Sequence, residues 1–349
     1  LQEHLLKPLQ GHGWTAWPVA AQPLWVYALA GLGALVLVIP RGVVHRAWGL
    51  LLLSALAWPA PRPAQGEFWM TALDVGQGTA VWIQTQKHHL VYDTGAAFSP
   101  RSDMGRRVIA PTLLAHGTQQ LDALWVSHDD SDHSGGAAHL LRTLNVGQWV
   151  SPLPKHHPLS QLAQQRGVAV QPCPTGQRFE WDGVEFEALS AADLRFATPL
   201  LSPLTGDNNH SCLLSIRTGQ HRVLLTGDIE APAEHALVNA AAHNPELALA
   251  LKSSVLMAPH HGSSTSSTPA FLALVQAQHV FVQSGWKNRF GHPTAQVIQR
   301  YRNLGLEVTQ TAQNGALHWR FSPQQPHPKT ISARQTRVRY WSVHEVGAF

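Results

Sequence analysis

Residues 127–136 read Ser-His-Asp-Asp-Ser-Asp-His-Ser-Gly-Gly, and four of them, His128, Asp130, Asp132 and His133, carry metal-ligand chemistry at fixed spacing. Two imidazoles and two carboxylates are costly to crowd into one tight turn unless cations neutralise them. A helix cap would account for one acid, with Asp132 or Ser134 accepting N-terminal amides, but it leaves the other groups unexplained. Further along, Leu224-Leu225-Thr226-Gly227-Asp228 ends an apolar run on a carboxylate able to bridge two cations. Ala258-Pro259-His260-His261-Gly262-Ser263 and Phe290-Gly291-His292-Pro293 then add imidazoles after later apolar runs. A single His in such a place is ordinary surface. A series of them points to side chains converging on one face of a sheet sandwich.

Competing motifs fail at particular positions. Asp130-x-Asp132-x-Ser134-Gly135 opens like an EF-hand loop, but its twelfth position is Leu141 and not a bidentate Glu. Gly76-x-Gly78 hints at a dinucleotide turn, yet Val81 stands where a third small residue belongs. No Ser has the G-x-S-x-G context of an activated nucleophile.

These groups need strands to position them. Apolar alternation and turn residues predict strands over 68–74, 80–84, 89–92, 123–126, 148–150 and 168–171, then 212–217, 222–225, 255–257, 279–282, 307–309 and 316–321. Helices are expected over 108–116, 137–144, 159–166, 231–242 and 294–304. The alternation describes a mixed α/β domain large enough for a substantial core.

His128-x-Asp130-x-Asp132-His133-x-Gly135-Gly136 resembles the H-x-[HD]-x-D-H signature of the metallo-β-lactamase superfamily. More narrowly, the chain resembles the C-terminal domain of the ComEC family of competence channel proteins for DNA uptake. The matching pieces are Leu73-Asp74-Val75-Gly76-Gln77-Gly78, Tyr92-Asp93-Thr94-Gly95, the His128 turn, Asn209 with Ser211, Thr226-Gly227-Asp228, His260-His261-Gly262-Ser263 and Gly291-His292-Pro293. They occur in order across residues 68–321.

The resemblance implies a four-layered αβ/βα sandwich, preceded by a transmembrane helical hairpin, with a two-metal hydrolytic site between the sheets. By family position, His128 and Asp130 would hold one metal, and Asp132 and His133 the second. Asp228 would bridge them, and one of His260 and His261 would complete the second site. Asp132 or Asp228 would also orient the attacking water. Asp93 would steady the His128 turn, with Asp74, Asn209, Lys252, Asn288, Arg289 and His292 as supporting or substrate-binding groups. Arg106, Arg107, Lys252, Lys287 and Arg289 are candidates for phosphate contacts, and Trp286 or Phe290 for base stacking.

Thr79 departs from the family's usual Asp, Asp130 replaces a His, and Asn208 and Asn209 stand where a ligand His often does, with His210 expected to point away. Oxygen-rich ligation favours Mn²⁺ or Mg²⁺, with Zn²⁺ an alternative, and holds them weakly. The implied activity is two-metal phosphodiester hydrolysis of the DNA strand that is not imported. The expected partners are single-stranded DNA bound without sequence preference, the membrane, and an upstream channel part of the same polypeptide. Two alternatives stay open: a hydrolase of the same fold acting on a lactone or phosphonate ester, and a non-catalytic DNA-binding module.

Composition bounds these readings. Lys and Arg exceed Asp and Glu by 25 − 21, a charge of +4, which excludes an acidic solvating chain and a strongly basic coat. With 44% hydrophobic and 13% charged residues, disorder throughout is excluded. Two Cys exclude a disulfide scaffold; Cys173 and Cys212 could pair in an outer compartment, and Cys212 is read as a small buried residue.

Residue 1 is Leu, so we expect the C-terminal part of a longer polypeptide. Apolar runs over 24–39, extendable back through 19–21, and over 47–58 read as a membrane hairpin, with Trp25, Tyr27 and Trp58 as interfacial aromatics. Arg41 and Arg46 place the loop between them in the cytoplasm, so the hydrolase domain would lie on the outer, periplasmic face of the inner membrane. The Pro-rich linker ending at Pro63 sets the expected division: 1–65, 66–323 and a basic tail over 324–349 that reads as a fraying terminus.

Overall fold

The computed structural model describes residues 20–40, 42–173, 175–194 and 206–336; Arg41, residue 19 of the apolar extension and the tail from 337 lie outside them. The chain divides into two units, residues 1–61 with 111–119, and residues 62–110 with 120–349.

In the first unit, helix Leu24–Val38 is followed by helix Arg46–Leu53, which His45 caps by accepting the Ala47 N–H, and by a 3₁₀ turn, Ser54–Ala57. The helices meet where neither has a side chain: a methyl on Gly33 would lie 2.7 Å from the Gly49 carbonyl, and one on Gly49 2.8 Å from that of Gly33. Leu24, Trp25, Leu35, Trp48, Leu50 and Trp58 remain exposed.

The two helices pack on each other, but the membrane-spanning hairpin expected here is not seen: among the described residues no helix is long and apolar enough to cross a membrane. The first helix has 15 residues, and at 1.5 Å per residue it spans roughly 22 Å of a ~30 Å hydrocarbon layer. Its backward extension is stopped by Pro23, which forces the preceding backbone away from helical angles.

The second unit is built on two large sheets. The first runs, edge to edge, Lys329–Ser332, Leu317–Phe321, Phe68–Ala72, Val81–Gln84, His89–Tyr92, Gln120–Trp125, Asn145–Val150, Ala169–Gln171. The second runs Glu307–Gln310, His279–Val282, Val255–Met257, His221–Leu225, Cys212–Thr218, Val184–Ser190, Arg178–Trp181. Each changes from antiparallel to parallel pairing part-way across, at His89–Tyr92 in the first and at His221–Leu225 in the second. The loops that leave the parallel strands at their carboxyl ends are where open α/β sheets place their ligands.

Side-chain alternation builds the layers. Met70, Ile83, Tyr92 and Trp125 of the first sheet meet Phe186, Ile216, Leu225 and Phe281 of the second in one core. Leu224, Leu256, Val280 and Val282 point the other way and bury against Leu237, Phe271 and Tyr301 of the covering helices. Helices Ala137–Thr143 and Pro158–Gln165 lie against strands at the far edge of the first sheet. The sandwich is the one expected.

Some elements had been missed although their signals were present. Asp182 and Gly183, with φ of 52° and 81°, turn the hairpin Arg178–Trp181 to Val184–Ser190, the Asp-Gly signal of a tight hairpin. Helices Pro245–Leu251 and Pro269–Val275 each begin with Pro behind a capping side chain, Asn244 and Thr268. The tail does not fray where expected. Lys329–Ser332 pairs with Leu317–Phe321, so the sheet continues past residue 323.

Cys173, just beyond the last strand of the first sheet, is bonded to Cys212, the first residue of a second-sheet strand, with Cα atoms 5.9 Å apart. Cys212 is thus half of a cross-sheet staple as well as a buried residue. Its two ends are 39 residues apart, and closing a loop of that length in the unfolded chain corresponds to about 4 kcal/mol. Reduction, or Cys173→Ser with Cys212→Ser, should therefore lower the denaturant midpoint and, by letting the unfolded chain expand, steepen the slope. An unchanged midpoint would show that the bond adds no stability.

Candidate metal centre

Asp93 ends the strand His89–Tyr92 in a left-handed backbone conformation, φ 60°, and is fully buried. Its Oδ1 accepts the Ser127 N–H at 2.7 Å, and its Oδ2 accepts the Ser127 hydroxyl at 2.8 Å and His133 Nδ1–H at 2.7 Å. Ser127 Oγ in turn lies 2.9 Å from His128 Nδ1, on the line of a bond from that ring. His261 Nδ1 donates to the Gln283 carbonyl at 2.8 Å. All three rings are thus held through Nδ1, which fixes the tautomer and turns each Nε2 lone pair to the cleft.

The turn bearing these ligands is held by backbone. Thr79 N–H donates to the Asp132 carbonyl at 3.0 Å, while Thr94 donates to that of His133 through its amide at 2.7 Å and its hydroxyl at 2.8 Å. Gly78 permits this approach: its φ is 125°, and a methyl there would sit 2.3 Å from the Asp132 oxygen. Thr79 therefore supports the turn through its backbone amide.

At the centre, His133 Nε2 lies 3.1 Å from Asp228 Oδ1 and 3.2 Å from His261 Nε2. His261 Nε2 lies 3.3 Å from both Asp228 Oδ2 and Asp132 Oδ2. His128 Nε2 is 3.5 Å from Asp130 Oδ2, has no hydrogen-bond partner, and is buried. Two overlapping groups, His128–His133–Asp228 and Asp132–His133–His261, each keep their ligating atoms within 4.8 Å of one another.

This donor set fits divalent cations. A buried imidazole nitrogen without a partner, and two others aimed at each other, are costly unless something electropositive lies between them.

Without a cation, protons take that role. Burial opposes charge on His261, but Asp228 and Asp132 outweigh it and raise its pKa to about 9. Burial likewise opposes charge on His133, which the Asp228 and Asp93 carboxylates hold well above its ordinary value. Asp132 falls to about 2, since its hydrogen bond to His261 and the charges of His133 and His261 overcome burial. Burial opposes ionisation of Asp228 too, but the charges of His133 and His261 and the hydrogen bonds to them hold it well below its ordinary value.

Not every expected residue comes to this cleft. His261 is the member of its pair that enters the centre. His260 stands one step out, Nε2 3.9 Å from Asp228 Oδ2, with Nδ1 held by Glu230 and Thr265. Asn209 is buried and supports Asp228 indirectly: its Oδ1 accepts the Glu230 and Ala233 amides at the start of the next helix. Asn288 folds the loop after residue 285, accepting the Phe290 and His292 amides and donating to the Gly285 and His292 carbonyls. His292 meets the His260 ring edge-on, centroids 5.6 Å apart. His210 turns to the Gly206 carbonyl, away from the centre as expected.

Lys252 precedes strand Val255–Met257 while His260 follows it, so the strand's length separates that ammonium from the centre. Asp74 pairs with Arg334, 3.6 Å away. Sequence reasoning also missed Ser127, Thr94, Glu230 and Gln283. Ser127 adjoins a ligand and was open to notice, but Gln283 acts through its carbonyl, for which residue type gives no signal.

The pattern defining the metallo-beta-lactamase superfamily matches residues 73–285. Competence protein ComA of Neisseria gonorrhoeae is 34% identical over 302 residues, covering 86% of this chain and 39% of that protein. ComE operon protein 3 of Bacillus subtilis is 30% identical over 275 residues, covering 74% and 33%. The chain thus spans between a third and two fifths of the length of these relatives. Among solved structures, the metallo-beta-lactamase fold protein YhfI of Bacillus subtilis is similar with a TM-score of 0.45 and 12% identity, over 73% of this chain and all of that one.

Two predictions follow from the proton-filled centre. Because the folded pKa of His261, about 9, exceeds its unfolded value of about 6.5, its pairing stabilises the metal-free fold below pH 6.5 and is lost as pH rises through about 9. Cations compete with those protons, so Mn²⁺ affinity should rise across the same window with proton release, as calorimetry in buffers of different ionisation enthalpy would measure; affinity independent of pH would contradict it. Asp93→Asn should weaken Mn²⁺ binding about 10–100-fold.

Proposed function

The chain belongs to the metallo-beta-lactamase superfamily, and from that premise we propose that it is the metal-dependent nuclease part of a DNA-uptake protein, hydrolysing phosphodiester bonds of the strand that is not imported. The observation that carries this reading is Asp228, one buried carboxylate whose two oxygens face His133 and His261, within reach of ligands from both sheets. A binding module has no need of that arrangement. The competence proteins to which the chain is similar supply the biological context.

His128, Asp130, Asp132, His133, Asp228 and His261 would hold two divalent cations, with Mn²⁺ or Mg²⁺ favoured by the oxygen content and Zn²⁺ as the alternative. Bound there, such cations supply Lewis-acid charge neutralisation and an acidified water. Asp132 faces both the centre and solvent, and stays ionised at neutral pH. It is placed to orient an incoming water by accepting its hydrogen bond. His260, steadied at Nδ1 by Glu230 and Thr265 with its Nε2 3.9 Å from Asp228 Oδ2, would stand beside the reacting phosphate.

The Cys173–Cys212 bond supports an oxidising, outer compartment for this unit. The exposed apolar helices of residues 24–57 support attachment to a membrane, with the further channel segments on the same polypeptide.

The test is cleavage of a labelled single-stranded oligonucleotide by the full chain with Mn²⁺, Mg²⁺, Zn²⁺ or EDTA. Cleavage should require metal and fall about a hundredfold or more in Asp132→Ala and in Asp228→Asn. Metal-dependent cleavage undiminished in both variants would overturn the assignment. Hydrolysis confined to small lactones or phosphonate esters, without salt-dependent DNA binding, would favour the other hydrolase class.

A further inference from the structure

In the unit containing the centre, the exposed aromatic side chains among the described residues are Phe98, Trp286 and Phe290, at 58%, 50% and 51% exposure. Each has a cation over its ring: Arg107 5.7 Å from the Phe98 centroid, Lys287 5.9 Å from that of Trp286, Arg289 4.7 Å from that of Phe290. An exposed ring beside a positive charge is the pairing that receives a nucleobase and its phosphate together.

These pairs are tied to the ligand loops. Phe98 lies in the short hairpin Ala97–Ser99 to Ser102–Asp103, whose backbone packs on the ligand turn so tightly that a methyl on Gly135 would lie 2.3 Å from the Ala97 nitrogen. Gly135 is two residues after His133. Arg107 comes from the helical turn Gly105–Ile109, and a methyl on Gly105 would lie 2.3 Å from the Gly136 carbonyl. Phe290 belongs to the loop after the second-sheet strand His279–Val282, made rigid by Asn288.

From the centre a series of rings leads to it. His261 and His260 are 6.4 Å apart, His260 and His292 5.6 Å, and His292 and Phe290 5.9 Å with planes 14° apart. Two aromatic–cation platforms, each rooted in the loops of a different sheet, are thus anchored to the residues that surround the reaction site.

We infer that Phe98 with Arg107 and Phe290 with Arg289 are two nucleobase-stacking subsites, which hold successive parts of one unpaired nucleic-acid strand while its phosphate lies at the centre. This rests on the nuclease reading and names how that site takes its substrate. Duplex bases have no free faces, so the subsites select single strands or frayed ends. Every base has a stacking face, so they select no sequence. Phe98 has no counterpart among the ligands and acts on affinity.

The test measures binding of fluorescent oligothymidylate by anisotropy in EDTA, where no cleavage occurs, and cleavage separately in Mn²⁺. Phe98→Ala and Phe290→Ala should each weaken binding between about fivefold and a hundredfold, and raise KM in the cleavage assay while leaving kcat within about twofold. Phe98→Trp and Phe290→Trp should restore wild-type affinity. An abasic strand of equal length should bind wild type and Ala variants alike. Wild-type affinity for oligothymidylate in both Ala variants overturns the subsites even if cleavage proceeds. Stacking-dependent binding without metal-dependent cleavage upholds the subsites and overturns the nuclease reading instead.

Discussion

The structure turns on one electrostatic constraint: several ionisable groups are buried at the same point, and their charges must cancel. Asp228 and Asp93 are almost wholly removed from water, as are His128, His133 and His261. A buried carboxylate is tolerated only when hydrogen bonds and opposite charge replace its lost hydration. Here the two acids divide the work. Asp93 stands behind His133 and fixes its direction, whereas Asp228 stands in front and meets its Nε2 and that of His261, which the Gln283 carbonyl directs. The same cancellation can be made by protons or by divalent cations, and so the fold tolerates the cleft whether or not it is loaded.

Bringing these groups together requires both sheets. Asp93 and the His128 turn leave the carboxyl ends of first-sheet strands, and Asp228 and His261 leave those of the second. Neither sheet alone holds a complete ligand set. The inner core between them, with Tyr92, Trp125, Leu225 and Phe281, is therefore as much part of the site as the ligands. Tyr92 shows the link: its ring is buried in that core while its hydroxyl donates to the Cys212 carbonyl across the sandwich.

Much of this was legible in the residues. The crowding of His128, Asp130, Asp132 and His133 is improbable chemistry without a cation, and strands ending on Asp228 and His261 pointed to one sheet edge. What escaped was of three kinds. Backbone contributions, such as the Gln283 carbonyl and the Thr79 amide, carry no side-chain signature. Cations at a distance along the chain are ambiguous: Lys252 was assigned by charge alone although it precedes the strand whose far end leads to His260 and His261. Length was the third. The apolar run over 24–39 was read by composition, but Pro23 decides where the helix begins, and no sum of hydropathy contains that decision.

One detail reaches beyond its own neighbourhood. Asp93 Oδ2 accepts from His133 directly and, through the Ser127 hydroxyl, answers to His128 as well, so a single oxygen steers one ring in each ligand group. The halves of the centre are mechanically yoked. Substitutions in the two halves should then be strongly non-additive, and a lineage drifting at one ring would find its neighbour's tolerance already changed.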